Sequence, residues 1–234
     1  MNQDLQLQAA DGQPCAACCA RPAATPRAGL VVLQEIFGVN AHIRAVCDRF
    51  AADGYLAIAP ALFDRAEPGV QLPYGPEGVA RGKLLRAQVP DALALRDVAA
   101  AVAEARRQLG TPSARVGIVG YCWGGTLAWL AACELPGVDA AVGYYGSGVA
   151  GYAGLQPQAP VMLHFGLRDA GIPSSDVEKT RAAHPAVPVY QYDAGHGFNC
   201  DDRAAYDAAA ATLALERTRA FLAEHLDPDR PRRA

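Results

Sequence analysis

Short apolar runs alternate along this chain with longer segments whose apolar residues recur every three or four positions. The runs at 30–33, 56–59, 116–119, 140–142, 161–165 and 187–192 are rich in Val, Ile, Leu and Ala, and predict strands covered on both faces of a sheet. Between them lie helical patterns. Asn40 caps a helix running to about Asp53, with Ile43, Val46, Cys47 and Phe50 on one side and Gly54 as the stop. A polar helix is expected near 79–87. A long one begins at Pro90 and runs through Leu109, and another covers 126–135. Ser175 and Glu178 have the spacing of a capping box, and 204–226 forms a last helix marked by Leu213, Leu215, Phe221 and Leu222. At the start, Leu5-Gln6-Leu7, Asp11-Gly12 and the Cys-containing segment after them read as a β-hairpin. Residues 21–28, with two prolines, and 60–78, rich in Pro and Gly, read as loops, the second long enough to be functional.

Strands alternating with helices from Leu30 onward imply the α/β class: a mostly parallel sheet flanked by helices, preceded by the hairpin. No internal repeat or linker interrupts the pattern, so residues 1–234 are expected to form one domain, with 227–234 a disordered tail.

A formal net charge of −3 argues against a nucleic-acid binder, and Arg230, Arg232 and Arg233 belong to the tail. No apolar stretch approaches the roughly 20 residues needed to span a bilayer, and residues 1–10 lack the positive charge and apolar run of a signal peptide. A cytoplasmic protein is expected, monomeric or weakly homo-oligomeric, with its seven cysteines as thiols. Cys15, Cys18 and Cys19 have C-x-x-C-C spacing, but no second Cys/His pair lies near. Adjacent Cys18 and Cys19 would point to opposite faces of a strand, so a metal site is not expected. Cys47 and Cys133 read as small buried apolar residues of helices.

Gly120-Tyr121-Cys122-Trp123-Gly124 follows a strand and precedes a helix. This G-x-C-x-G form matches the nucleophile elbow, a sharp turn that presents a nucleophile at its tip, with Cys in the place of Ser. The flanking glycines leave room where side chains would clash, and the positive end of the following helix favours a thiolate.

A nucleophile needs a base, and the base an orienting group. His196, in Gly195-His196-Gly197-Phe198, is the one histidine at a strand's carboxyl end; His42 and His225 fall in helices, His164 in a strand and His184 after a helix. Asp169 follows the fifth run, and the order Cys122, Asp169, His196 fits the hydrolase arrangement. Asp193, three residues before the histidine, is the competing acid. A base of this kind is expected to titrate near neutrality in kcat/KM. The N–H groups of Ile36 and Trp123 are candidate oxyanion donors. Glu35, ending the first run, reads either as a buried carboxylate near the thiol or as an exposed loop residue.

Gln34-Glu35-Ile36-Phe37-Gly38-Val39-Asn40, Gly120 to Gly125, Gly143-Tyr144-Tyr145-Gly146 and Gly195 to Phe198 together resemble the dienelactone hydrolase (carboxymethylenebutenolidase) family, over about residues 5–226. The resemblance implies an α/β-hydrolase fold and the opening of an enol-lactone, dienelactone to maleylacetate, in the breakdown of chlorinated aromatics. It implies Cys122 as nucleophile, His196 as base, Asp169 as its partner and Glu35 as a carboxylate that helps generate the thiolate. It implies no metal or organic cofactor. Phe37, Arg81, Tyr144 and Phe198 are the expected substrate-binding residues. One departure stands out: Cys200 occupies the place of a family substrate-binding Arg, and Arg203, opening the last helix, is the alternative cation.

The expected partner is thus a small ester or lactone, cleaved through a Cys-His-Asp triad and a thioester. A small-acyl esterase or thioesterase of the same fold is the alternative. A reading from another class is a redox-sensing or binding protein that uses Cys122.

Overall fold

The computed structural model describes residues 2–111 and 113–226; the tail expected at 227–234 lies outside them. The first two strands, β1 (Asn2–Gln8) and β2 (Pro14–Ala20), form the antiparallel hairpin. Then follow β3 (Ala28–Leu33), helix α1 (Ala41–Ala52), β4 (Tyr55–Pro60), α2 (Pro76–Gln88), α3 (Asp91–Leu109), β5 (Val116–Tyr121) and α4 (Trp123–Glu134). The chain continues through β6 (Ala140–Tyr144), β7 (Val161–Gly166), α5 (Ser174–Ala183), β8 (Val189–Tyr192) and α6 (Ala208–His225).

All eight strands join one sheet in the order β1-β2-β4-β3-β5-β6-β7-β8. β2 pairs antiparallel with β4, and the pairs from β4 through β8 are parallel. Every residue of β3, β4 and β5 is buried, as their unbroken apolar composition requires of strands covered on both faces. The chain winds outward from β3 to β4, then restarts at β5 on the other side of β3, so the crevice at the carboxyl ends of β3 and β5 is a topological switch point. None of the described helices is long and apolar enough to cross a membrane.

Several boundaries differ from the sequence expectation. The 60–78 segment is not structureless. It contains a 3-10 turn, Leu62–Arg65, and Pro76 already opens α2, since a proline's missing N–H costs nothing in a first turn. Arg65 anchors this segment, bonding the buried Asp97 of α3 through Nε at 2.7 Å and Asp11 of the hairpin turn through Nη1 at 2.9 Å. α4 starts at Trp123, three residues earlier than its pattern suggests, because the elbow passes directly into the helix. The Ser175–Glu178 box does not form: α5 begins at Ser174 after Pro173, with no side-chain cap. The last helix starts at Ala208, not 204. Asp207 caps it by accepting from the Ala210 N–H at 2.9 Å, and residues before it are held in turns, with Arg203 N–H bonded to the Cys200 carbonyl. Asn40 caps α1 as expected, accepting from Ile43 N–H at 3.2 Å.

Candidate active site

Cys122 sits between β5 and α4 with φ 54° and ψ −116°, a conformation that non-glycine residues hold only under strain of about 1–3 kcal/mol. Its surroundings explain how it is kept there. Its N–H bonds the Tyr144 carbonyl at 2.9 Å, and the Gly124 N–H bonds the Gln34 carbonyl at 3.1 Å, tying the elbow to both neighbouring strands. A Cβ at Gly120 would lie 1.9 Å from the Gly124 carbonyl oxygen, and one at Gly124 would lie 2.5 Å from that of Leu33. The two glycines of the motif are therefore steric requirements of the turn.

Asp169 follows β7 and His196 follows β8, each at a carboxyl end. The Nδ1–H of His196 donates to Asp169 Oδ2 at 2.7 Å, and the Gly171 N–H donates to the other carboxylate oxygen at 2.8 Å. The Asp169 side chain is fully buried. Asp193, the competing acid, turns instead toward solvent and pairs with Arg168 at 2.7 Å. His196 and Cys122 line the same cavity. Burial alone would lower its pKa, but the hydrogen bond to Asp169 and the influence of the neighbouring Cys122 outweigh it and push the imidazole up to about 10. The imidazolium form is thus favoured beyond its ordinary range.

Glu35 is buried. Its Oε1 accepts from Arg203 Nη1 at 2.8 Å, and its Oε2 accepts from the Tyr74 hydroxyl at 3.2 Å. The Arg203 guanidinium lies over the Phe37 ring, 5.5 Å from its centroid, and crosses Gly197 so closely that a Cβ there would meet Nη1 at 2.4 Å. Gly197, with φ +82°, is thus the surface on which the arginine rests. Cys200 is buried, and burial pushes its thiol up to about 11. Arg203 belongs to the turns before α6 and does not open the helix; it points into the site.

A cavity of about 830 Å³ opens in front of these groups. Ile36, Phe37, Cys122, Trp123, Asp169, His196 and Arg203 line it. The Ile36 and Trp123 N–H groups donate to no backbone carbonyl among the described residues, which leaves both available to a ligand. Three expected substrate-binding residues do not reach it. Arg81 forms an exposed ion pair with Glu67, whereas Val79, Lys83 and Arg86 are the α2 residues that line the cavity. At about 100° per residue, Arg81 lies on the far side of the helix from Val79. Tyr144 ends a strand on the opposite side, where its hydroxyl bonds Thr218 Oγ1 at 2.6 Å. Phe198 is wholly buried against Tyr145 and Tyr192.

Other groups of the site carry no motif that marks them. Asp91, the first residue of α3, accepts from the Trp123 indole at 2.8 Å, from the Tyr152 hydroxyl at 2.8 Å and from Arg86 at 2.6 Å. Tyr145, rather than its neighbour, sits beside the histidine, with ring centroids 5.1 Å apart; its φ is +39° and its buried hydroxyl has no partner among the described residues. Strand alternation could have separated the two tyrosines, but not assigned either to the site. Apart from this site, His42, Asp201 and Asp202 bring three potential ligand atoms within 4.8 Å of one another, with both aspartates exposed.

The sheet order and the elbow at its switch point define an α/β-hydrolase fold, and an esterase from Pyrococcus furiosus shares it at a TM-score of 0.66 and 14% identity, covering 97% of this chain and 92% of its own. Residues 15–226 match the dienelactone hydrolase family. The chain is 36% identical to a carboxymethylenebutenolidase from Pseudomonas putida over 95% of its length and 97% of the relative's. A Klebsiella pneumoniae subsp. pneumoniae chain assigned to the dienelactone hydrolases superposes with a TM-score of 0.81 at 34% identity, covering 96% of this chain and 99% of its own. The chain belongs to the dienelactone hydrolase family and is a hydrolase of ester or lactone bonds.

Proposed function

We propose that the protein opens an enol-lactone through a thioester on Cys122. The observation that carries this reading is the 2.7 Å bond from His196 to the buried Asp169, with the His196 ring and the Cys122 thiol lining the same cavity. The thiolate of Cys122 attacks the ring carbonyl carbon. The oxyanion is held by the N–H groups of Ile36 and Trp123. The ring C–O bond breaks, the imidazolium of His196 gives its proton to the departing enolate oxygen, and the acyl group remains on sulfur. Neutral His196 then takes a proton from water, whose oxygen attacks the thioester, releasing the carboxylate and the thiol. Delocalisation of the enolate suits a sulfur nucleophile. Glu35, held by Arg203 and Tyr74 in the resting site, is a carboxylate that exchanges partners when substrate enters and helps keep Cys122 ionised. The setting proposed is cytoplasmic breakdown of aromatic compounds, by a monomer or weak homo-oligomer.

The test compares turnover of cis-dienelactone and p-nitrophenyl acetate by the wild type and Cys122→Ala. Lactone opening by the wild type alone supports the whole reading. Cys122-dependent cleavage of only the simple ester keeps the mechanism and replaces the substrate with small acyl esters. No turnover of either overturns the reading in favour of a sensor or binding role for Cys122.

A further inference from the structure

Trp123 is the first residue of α4, and its side chain is tethered as closely as its backbone. The indole is buried and stacks on Phe63 of the 62–65 turn, with ring centroids 5.5 Å apart and planes 19° from parallel. The Arg86 guanidinium lies over the ring, 4.7 Å from its centroid. The indole N–H donates to Asp91 Oδ1 at 2.8 Å. That carboxylate joins two further segments. Its Oδ1 also accepts from Arg86 Nη2 of α2 at 2.6 Å. Its Oδ2 accepts at 2.8 Å from the hydroxyl of Tyr152, in the 3-10 turn Val149–Tyr152 after β6. Each partner is held in turn: Arg86 Nη1 donates to the Val89 carbonyl at 2.9 Å, and the Trp129 indole donates to the Tyr152 carbonyl at 3.3 Å. Asp91, Arg86, Trp123 and Tyr152 all line the catalytic cavity. The Asp91 side chain keeps only 14% of its surface, so its hydrogen bonds, strengthened by its charge, are poorly replaced by water.

We propose that Asp91 is a positioning residue for the oxyanion side of the reaction: through the Trp123 indole it holds the peptide unit between Cys122 and Trp123, so that the Trp123 N–H stays aimed at the developing oxyanion. The proposal rests on the thioester reading above. Its physical basis is the strain at the elbow. The direction of the Trp123 N–H follows ψ of Cys122, and Cys122 holds φ 54° and ψ −116°. Relaxation of that strained residue would swing the N–H away, and an indole anchored at its N–H opposes the swing. Asp91 touches neither the nucleophile nor its base. Its effect therefore falls on acyl transfer, in which charge develops on the carbonyl oxygen, and spares the ionisation of Cys122. Alkylation separates the two. When the thiolate displaces iodide from iodoacetamide, the S–C bond forms and the C–I bond breaks with no oxyanion, so the rate reads the thiolate and its access alone.

The test measures kcat and KM for p-nitrophenyl acetate and, separately, the rate of Cys122 alkylation by iodoacetamide, followed on the Cys122 peptide. The proteins compared are the wild type, Asp91→Ala, Asp91→Asn, Trp123→Phe and the double variant Asp91→Ala/Trp123→Phe. Asp91→Ala and Trp123→Phe are each expected to lose about tenfold or more in kcat, with KM and the alkylation rate within about twofold of wild type. The double variant should lose no more than about the larger single loss, because both changes break one bond. Asp91→Asn, whose side-chain oxygen still accepts from the indole, should recover most of the turnover. The proposal is overturned if Asp91→Ala turns over like the wild type, if the two single losses multiply in the double variant, or if alkylation falls in step with kcat, which marks a general disturbance of the elbow. Failure of the thioester reading looks different: ester cleavage that survives in Cys122→Ala, or none by the wild type, removes that reading and this proposal together.

Discussion

Arg203 meets Glu35 across 168 positions of sequence, its Nη1 2.8 Å from the carboxylate Oε1. The carboxylate is almost wholly enclosed, and the guanidinium keeps only a fifth of its surface, with 19% exposure against 2% for Glu35. Removing one partner of such a pair leaves a buried charge uncompensated. Arg203→Met is expected to cost about 3 kcal/mol in urea unfolding. Glu35→Gln in the same chain should recover most of that loss, and a double variant as unstable as the single one would show that the pair does not carry the effect.

Gly197 and Arg203 are coupled through space. A Cβ at position 197 would meet the guanidinium at 2.4 Å and would also have to adopt φ +82°. Gly197→Ala is therefore expected to displace Arg203 and lower kcat/KM for lactone by at least about tenfold, equivalent to about 1.4 kcal/mol. Wild-type kinetics in this variant would mean that the arginine position does not matter for turnover.

The raised pKa of His196 has a signed consequence for stability. Its folded value, about 10, lies above the ordinary 6.5, so its contribution is complete below 6.5 and is lost as pH rises through about 10. The difference in Tm between the wild type and His196→Gln should shrink across that window. In kcat/KM the same loss of the imidazolium should appear as an alkaline limb near pH 10. Asp169→Asn, which removes the carboxylate bonded to Nδ1, should move that limb to lower pH and reduce kcat by roughly two to four orders of magnitude.

Lys83 lines the cavity and has no carboxylate partner among the described residues, whereas Arg81 is occupied by Glu67 on another side of α2. For an anionic lactone, Lys83→Ala is expected to raise KM by about tenfold. Arg81→Ala should leave KM within about twofold. Steady-state kinetics on an anionic lactone and a neutral ester separate the two residues; the neutral ester should respond to neither.

Gly120→Ala tests the elbow itself. With the Gly124 carbonyl oxygen 1.9 Å from the added Cβ, the backbone has to move, at a cost of at least about 3 kcal/mol. The outcome expected is a lowered urea midpoint together with lost turnover; a stable, active variant would show that the turn tolerates a wider opening.

Much of this protein is determined locally. The apolar runs that became β3, β4 and β5 are legible because a strand buried on both faces must be apolar throughout. Asn40 was legible as a cap because its bond to Ile43 N–H spans a single turn. The G-x-C-x-G turn is equally local, since its glycines answer to the backbone of the elbow and the end of the adjacent strand. Boundaries moved where a neighbour outweighed the pattern, as at Asp207, which caps α6 four residues beyond Arg203. What the chain could not reveal by itself is which distant groups meet. Chain order favoured Asp169 over Asp193 as the acid, but the contacts themselves, Asp169 buried against His196 and Asp193 turned to Arg168, come from packing. Likewise Tyr145 rather than Tyr144 faces the histidine, Lys83 rather than Arg81 faces the cavity, and Arg203 rather than residue 200 reaches Glu35. Periodicity is set by a few neighbouring bonds, but the face a helix presents and the direction of a loop arginine are set by contacts between elements far apart in sequence, and those exist only once the sheet has assembled.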